Sequence, residues 1–351
     1  MAETEAIGFR VEGALGRVHL DQPATFNALS KEMCIAFRER LVAWADDPAV
    51  AVVLVTAEDG RAFCAGGDIR ALYAAHQAGE PDIDQFFWHE YRLDRAVHDF
   101  PKPYVALIDG IVMGGGVGIS VHGSHRVMTE RALFAMPETG IGLFPDVGAT
   151  EFLPRCPGRL GLYLGLTGAR LKAADAVYAG IGTHFVPGAR RAALESRLAA
   201  ADLAAGAAAV DDVLAGLAEP PGPVQIREHR PVIDRCFAAA SVAGIIEALE
   251  AEDGYFAIET ADELRTKSPT SLAVTFRQLN GGAGLGFDEI MRREYRMACA
   301  FLAGHDFFEG IRAAVIDKDR KPRWRPERLA DVTDEDVERH FAPAARELDF
   351  D

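Results

Sequence analysis

The chain is short of the features that would place it in several common classes. Its 351 residues include five cysteines, Cys34, Cys64, Cys156, Cys236 and Cys299, scattered and with no CxxC pair. A disulfide framework is not expected, and a reducing compartment is. No apolar run reaches the length of a membrane span. The opening "MAETEAIGFR" has no basic region followed by an apolar one, so no signal peptide is expected and the expected location is cytoplasmic. Positive charge is scarce: 37 Lys and Arg stand against 53 Asp and Glu, a net charge of −16. Nucleic acid is therefore not an expected partner, and without a span-length apolar run neither is a membrane. A polyanionic small ligand stays open, provided a local pocket supplies N–H groups or a few cations. There is no GxxxxGK[ST] phosphate loop, and no full GxGxxG follows a strand, which disfavours nucleotide binding by such loops. No short internal repeat is visible.

What is present is an alternation of strand and helix signals, the pattern of an α/β fold. "IGFRVEG" and "ALGRVHLD" flank Gly13 and predict a hairpin. "NALSKEMCIAFRERLVAWADD" has apolar residues at helical spacing, with Ser30 as its N-cap. "VAVVLVTA", "YVALIDG", "HRVMTE" and "LFAMPE" predict strands, and "FFWHEYRLDRAVHDF" a helix ending before Pro101 and Pro103. The Ala-rich stretch 189–219 is helix-prone, "PPGPV" at 220–224 breaks it, and four further helical segments follow. These signals place an α/β core carrying the chemistry at 1–195 and a predominantly helical C-terminal region at 196–351.

Two glycine clusters and two acids bear on chemistry. "AFCAGGDI" at 62–69 and "GIVMGGGVGIS" at 110–120 each follow a strand signal. Glycine runs let a backbone approach a ligand closely, or simply let two chains cross closely. If each run turns into a helix, its free N–H groups point outward, and two such groups on one oxygen would form an oxyanion hole. "FAMPETGIGLFPDVG" at 134–148 sets Glu138 and Asp146 in an apolar, Gly- and Pro-rich stretch with no Lys or Arg. A buried carboxylate is costly unless paired, hydrogen-bonded or protonated, and that cost is often tolerated where an acid does chemistry. The plainer reading is that Glu138 caps a helix after Pro137 and Asp146 sits in a polar turn. His122 and His125 lack a third ligand pattern, so no metal is expected. Cys64 is expected to be a small packing residue. "NGGAGLGF" is expected to be a turn between C-terminal helices, and "DKDRKPRW" at 317–324 a surface edge.

"AFCAGGDI", "MGGGVG" and "FAMPETGIGLFPDVG" together resemble the enoyl-CoA hydratase/isomerase, or crotonase, superfamily. "KPYVALIDGIVMGGGVGISVHGSHRV" and the late "FFEGIRAAVIDKDRKPRW" resemble its 3-hydroxyisobutyryl-CoA hydrolase branch, and the likeness runs over nearly the whole chain. The resemblance implies a crotonase-like spiral of ββα turns with helices at the C-terminus, and an acyl-CoA thioester as substrate. It implies an oxyanion hole at the N–H groups of Gly67 and Gly115, and acids at Glu138 and Asp146. Glu90, in "HEYRLDRAV", matches a substrate-contacting acid of the branch; read alone, it is equally a solvated helix-face charge. Hydratases of the superfamily usually carry a second glutamate just after the glycine run, where this chain has Gly118.

The expected activity is hydrolysis of a short β-hydroxyacyl-CoA, 3-hydroxyisobutyryl-CoA of valine breakdown in the first place. Glu138 would serve as base or as nucleophile, which the sequence does not separate. Asp146 would contact the 3-hydroxyl or assist proton transfer to the departing sulfur, and Lys318 or Arg320 could help hold the CoA phosphates. No cofactor is expected, since CoA is part of the substrate. The competing expectations are an enoyl-CoA hydratase or isomerase and a non-catalytic assembly subunit. The family likeness also implies a possible homo-oligomer.

Overall fold

The computed structural model describes residues 6–58 and 61–350. Residues 1–5, on which part of the signal-peptide expectation falls, lie outside the described residues. Contacts divide the chain into two units, each drawn from three segments. One takes 1–67, 89–134 and 171–224, and the other takes 68–88, 135–170 and 225–351. Both units draw on residues before and after position 195, so the boundary expected there does not coincide with theirs.

The first unit holds the sheets. β1 (Ile7–Glu12) and β2 (Leu15–Leu20) form the expected antiparallel hairpin, with Gly13 at φ 60 in its turn. The helix Lys31–Asp46 follows, and Ser30 Oγ accepts the N–H of Met33 as its N-cap. The chain then builds two sheets in step. From β3 (Val52–Ala57) it passes to β4 (Ala62–Cys64), from β5 (Tyr104–Ile108) to β6 (Ile111–Met113), and from β7 (His125–Met128) to β8 (Leu133–Ala135). Two short strands follow, β9 (Leu171–Lys172) and β10 (His184–Phe185). The longer strand of each pair joins a six-stranded sheet, order β1-β2-β3-β5-β7-β10, and the shorter joins a four-stranded sheet, order β4-β6-β8-β9. Two strands and then a helix at each turn is the spiral the resemblance implied. In the larger sheet every pair after the hairpin is parallel, and "VVLVTA" in β3 is buried throughout, as a strand covered on both faces requires.

The Ala-rich stretch folds into the helices Arg191–Ala200 and Ala207–Ala215. Its spaced Leu194, Leu198, Val210 and Leu214 pack on Leu15, Val52, Leu54, Val105 and Val127 of the large sheet. That apolar stripe is why the first unit runs on past residue 195 to the "PPGPV" break.

In the second unit, four long helices, Val242–Glu250, Tyr255–Thr266, Pro269–Gly281 and Phe287–Leu302, carry most of the C-terminal part. Ser241 and Ser268 cap two of them. The loop residue Phe144 stacks on Phe301 at 5.6 Å, which ties the segment after Glu138 to the last long helix.

Candidate functional site

The two glycine clusters meet within the first unit. β4 pairs in parallel with β6, which brings the bend after Cys64 beside the bend after Met113. Gly66 has φ +112, and a Cβ built on it would stand 3.7 Å from the amide nitrogen of Gly115. Leu29 N–H donates to Gly66 O at 2.8 Å and bridges Gly67, and a bridge running through the preceding carbonyl turns Gly67's own N–H to the other side. Gly114, at φ 48, precedes the helix Gly115–Val121, whose first N–H groups have no acceptor inside it. A Cβ on Gly116 would overlap Cys64 O, so close crossing is a real function of that glycine. Gly115 differs: a Cβ there would overlap Glu90 Oε1 and lie 3.2 Å from Leu29 Cδ1. Cys64 packs as expected, with burial pushing its thiol up to about 12.

Glu90 is buried, which removes the solvated helix-face reading. It lies in the helix Gln85–His98. One turn on, Asp94 is also buried; after burial itself, the charges of Glu90 and then Asp94 raise the Cys34 thiol, and that of Asp94 raises the Tyr104 phenol. Asp94 was not singled out from the sequence. The i, i+4 spacing of the two acids on the face carrying Tyr91 and Val97 was the available signal.

The second unit places Glu138 at the start of a short 3-10 turn, Glu138–Ile141, after Pro137. The turn is pinned on several sides. Thr139 Oγ1 donates to Leu166 O at 3.0 Å, and Ser268 N–H donates to Thr139 O at 3.1 Å. Gly310, in "EGIR", is needed because a Cβ there would overlap Ile141. The late sequence motif thus packs directly on the turn that carries Glu138. The carboxyl of Glu138 is buried; it accepts a hydrogen bond from its own backbone N–H, and its Oε2 has no hydrogen-bond partner. Burial first, and the charge of Asp146 second, push its pKa well above the ordinary carboxylate range. The segment to Asp146 is looped, not a continuous helix, and so the two acids come close enough to interact. Asp146 is buried too.

A third acid, Glu294, shares this neighbourhood. It accepts the N–H of Gly148 at 2.7 Å, the N–H of Thr150 at 3.0 Å and the hydroxyl of Thr150 at 2.7 Å. Burial outweighs these bonds, and with the charge of Asp146 it is pushed up to about 7. The sequence reading missed it, because an acid within "DEIMRREYR" looks like any helix-surface charge. Lys318 and Arg320 are exposed, and His125 lies 3.1 Å from Asp211 and 2.8 Å from Ser124 Oγ.

The enoyl-CoA hydratase/isomerase family model matches residues 15–341. The chain belongs to this family. The 3-hydroxyisobutyryl-CoA hydrolase, mitochondrial, of Xenopus tropicalis is 46% identical over 334 residues, 94% of this chain and 86% of its own length. The protein of the same name from Homo sapiens is 44% identical over 345 residues, 96% of this chain and 88% of its own. Among solved structures, a carnitinyl-CoA dehydratase from Mycobacterium thermoresistibile superposes with a TM-score of 0.93 at 42% identity, covering 99% of both chains. The crotonase-like fold is thereby established. The expected cytoplasmic location does not stand, since both curated relatives are named as mitochondrial. Scattered, unpaired cysteines do not distinguish one compartment from another. No helix among the described residues is long and apolar enough to cross a membrane.

Proposed function

We propose that the protein hydrolyses a short 3-hydroxyacyl-CoA thioester, 3-hydroxyisobutyryl-CoA foremost, to the free hydroxy acid and CoA, as in valine breakdown. One observation carries the reading: a Glu138 with a partnerless oxygen, its pKa raised by burial and then by Asp146, in a chain 44–46% identical to proteins named for this hydrolysis. Glu138 directs water to the thioester carbon, or attacks it first and forms an anhydride that water opens. Charge grows on the carbonyl oxygen, and the N–H groups of Gly67 and Gly115 receive it. The carbon–sulfur bond then breaks, and the sulfur leaves with a proton. Asp146 receives the 3-hydroxyl or passes that proton, and Glu90 contacts the acyl group. Self-association into a homo-oligomer belongs to the same proposal, and the mass in solution checks it.

The test is thiol release from 3-hydroxyisobutyryl-CoA by the purified protein and by Glu138→Gln. A single turnover in ¹⁸O-water that leaves label in the Glu138 carboxyl assigns it as nucleophile, because a general base never exchanges its oxygens with the water it directs.

Hydration of an enoyl-CoA is the second reading, favoured by the name of the superposing dehydratase. Against it stands Gly118, buried in the helix Gly115–Val121 where hydratases usually carry their second glutamate. Loss of crotonyl-CoA absorbance measures that activity directly.

A further inference from the structure

Asp146 sits in a turn that its own sequence does not favour. Ala149 N–H donates to Asp146 O at 3.0 Å, closing a four-residue turn. Both central residues have positive φ, Val147 at 53 and Gly148 at 87. Gly148 accepts this freely. A β-branched residue does not, and valine at positive φ is a strained outlier. Such a conformation persists only where surrounding groups hold it.

Two helices supply the hold. Gln278, in Pro269–Gly281, donates its Nε2 to Pro145 O at 2.8 Å, just before Asp146. Glu294, in Phe287–Leu302, accepts Gly148 N–H at 2.7 Å, just after Val147. Thr150 joins the two, accepting from Gln278 at 2.9 Å and donating to Glu294 at 2.7 Å. Gln278 and Glu294 are both fully buried. Asp146 and Val147 are therefore gripped on either side by side chains from elsewhere in the chain.

We propose that Glu294, braced by Gln278 and Thr150, is a positioning residue: it holds the strained turn that aims the Asp146 carboxylate at the 3-hydroxyl of the acyl group. The inference rests on the hydrolase reading and deepens it, by assigning selectivity for hydroxylated substrates to a buried clamp. Glu294→Gln breaks the clamp conservatively, because a carboxamide cannot accept from Gly148 and Thr150 with both oxygens. Val147→Gly removes the strain that the clamp opposes.

The experiment compares kcat and KM for 3-hydroxyisobutyryl-CoA and for isobutyryl-CoA, which lacks the hydroxyl. In Glu294→Gln, kcat/KM for the hydroxylated substrate falls about tenfold or more relative to the other. Adding Val147→Gly restores part of that ratio, which a merely stabilising Glu294 would not allow. If Glu294→Gln does not fold, Gln278→Leu removes the other grip and carries the same expectation. A crystal structure of the folded variant is read alongside, with Val147 expected to leave the left-handed region. A folded variant that keeps wild-type discrimination and an unchanged turn overturns the proposal, as does a double variant with no recovery. A wild-type protein inactive on both thioesters overturns the hydrolase reading instead, while the turn in the variant still reports on the clamp.

Discussion

Asp146 acts through space on Glu138, and its charge adds to burial in holding the Glu138 carboxyl well above the ordinary carboxylate range. A base in that position works only when ionised. The acid limb of kcat/KM should therefore lie above the free glutamate value of about 4.3. Asp146→Asn removes the neighbouring charge, so the limb should move to lower pH even as the rate falls. A limb that stays put in Asp146→Asn would detach the two acids from each other.

Neighbouring glycines should fail differently. A Cβ on Gly116 would overlap the backbone at Cys64 O, so Gly116→Ala should destabilise the fold by about 3 kcal/mol, at the upper end for an overpacked site. A Cβ on Gly115 would instead overlap the Glu90 carboxylate, a side chain that can shift. Gly115→Ala should melt near the wild type and lose most turnover. Thermal melts with initial rates separate them, and equal loss of stability in both would remove the distinction.

Glu294 also makes stability depend on pH. Its folded pKa of about 7 stands above the unfolded value of 4.5, so between those values the native state binds more protons than the unfolded one. The stabilisation is complete below the unfolded value and is lost as pH rises through about 7. Glu138 contributes with the same sign. The melting temperature of the wild type should fall from pH 5 to 8, and that of Glu294→Gln should fall less. Parallel curves would show that Glu294 does not titrate in this range.

Local signals carried much of the fold. Gly13, Ser30 and the β-branched run at 52–57 each act through their immediate neighbours, and each element formed where its residues called for it. The division into units was not legible, because it depends on which apolar stripe covers which sheet, a long-range outcome. Leu194 and Val210 look no different in sequence from the residues of a free-standing helical tail. The same limit applied to the candidate site. Glu138 and Asp146 stood out as acids in an apolar stretch, but Glu294 and Gln278 gain their meaning only from a loop more than a hundred residues earlier. Asp94 fell between: its helical spacing from Glu90 was readable, and its burial was not.

CoA release from 3-hydroxyisobutyryl-CoA by the wild type and by Glu138→Gln, each checked for folding by its thermal melt, decides whether Glu138 carries the hydrolysis. The wild type should release CoA steadily, and the folded variant should lose roughly a thousandfold in rate. Near-native release by folded Glu138→Gln, or no release by the wild type, would contradict that role.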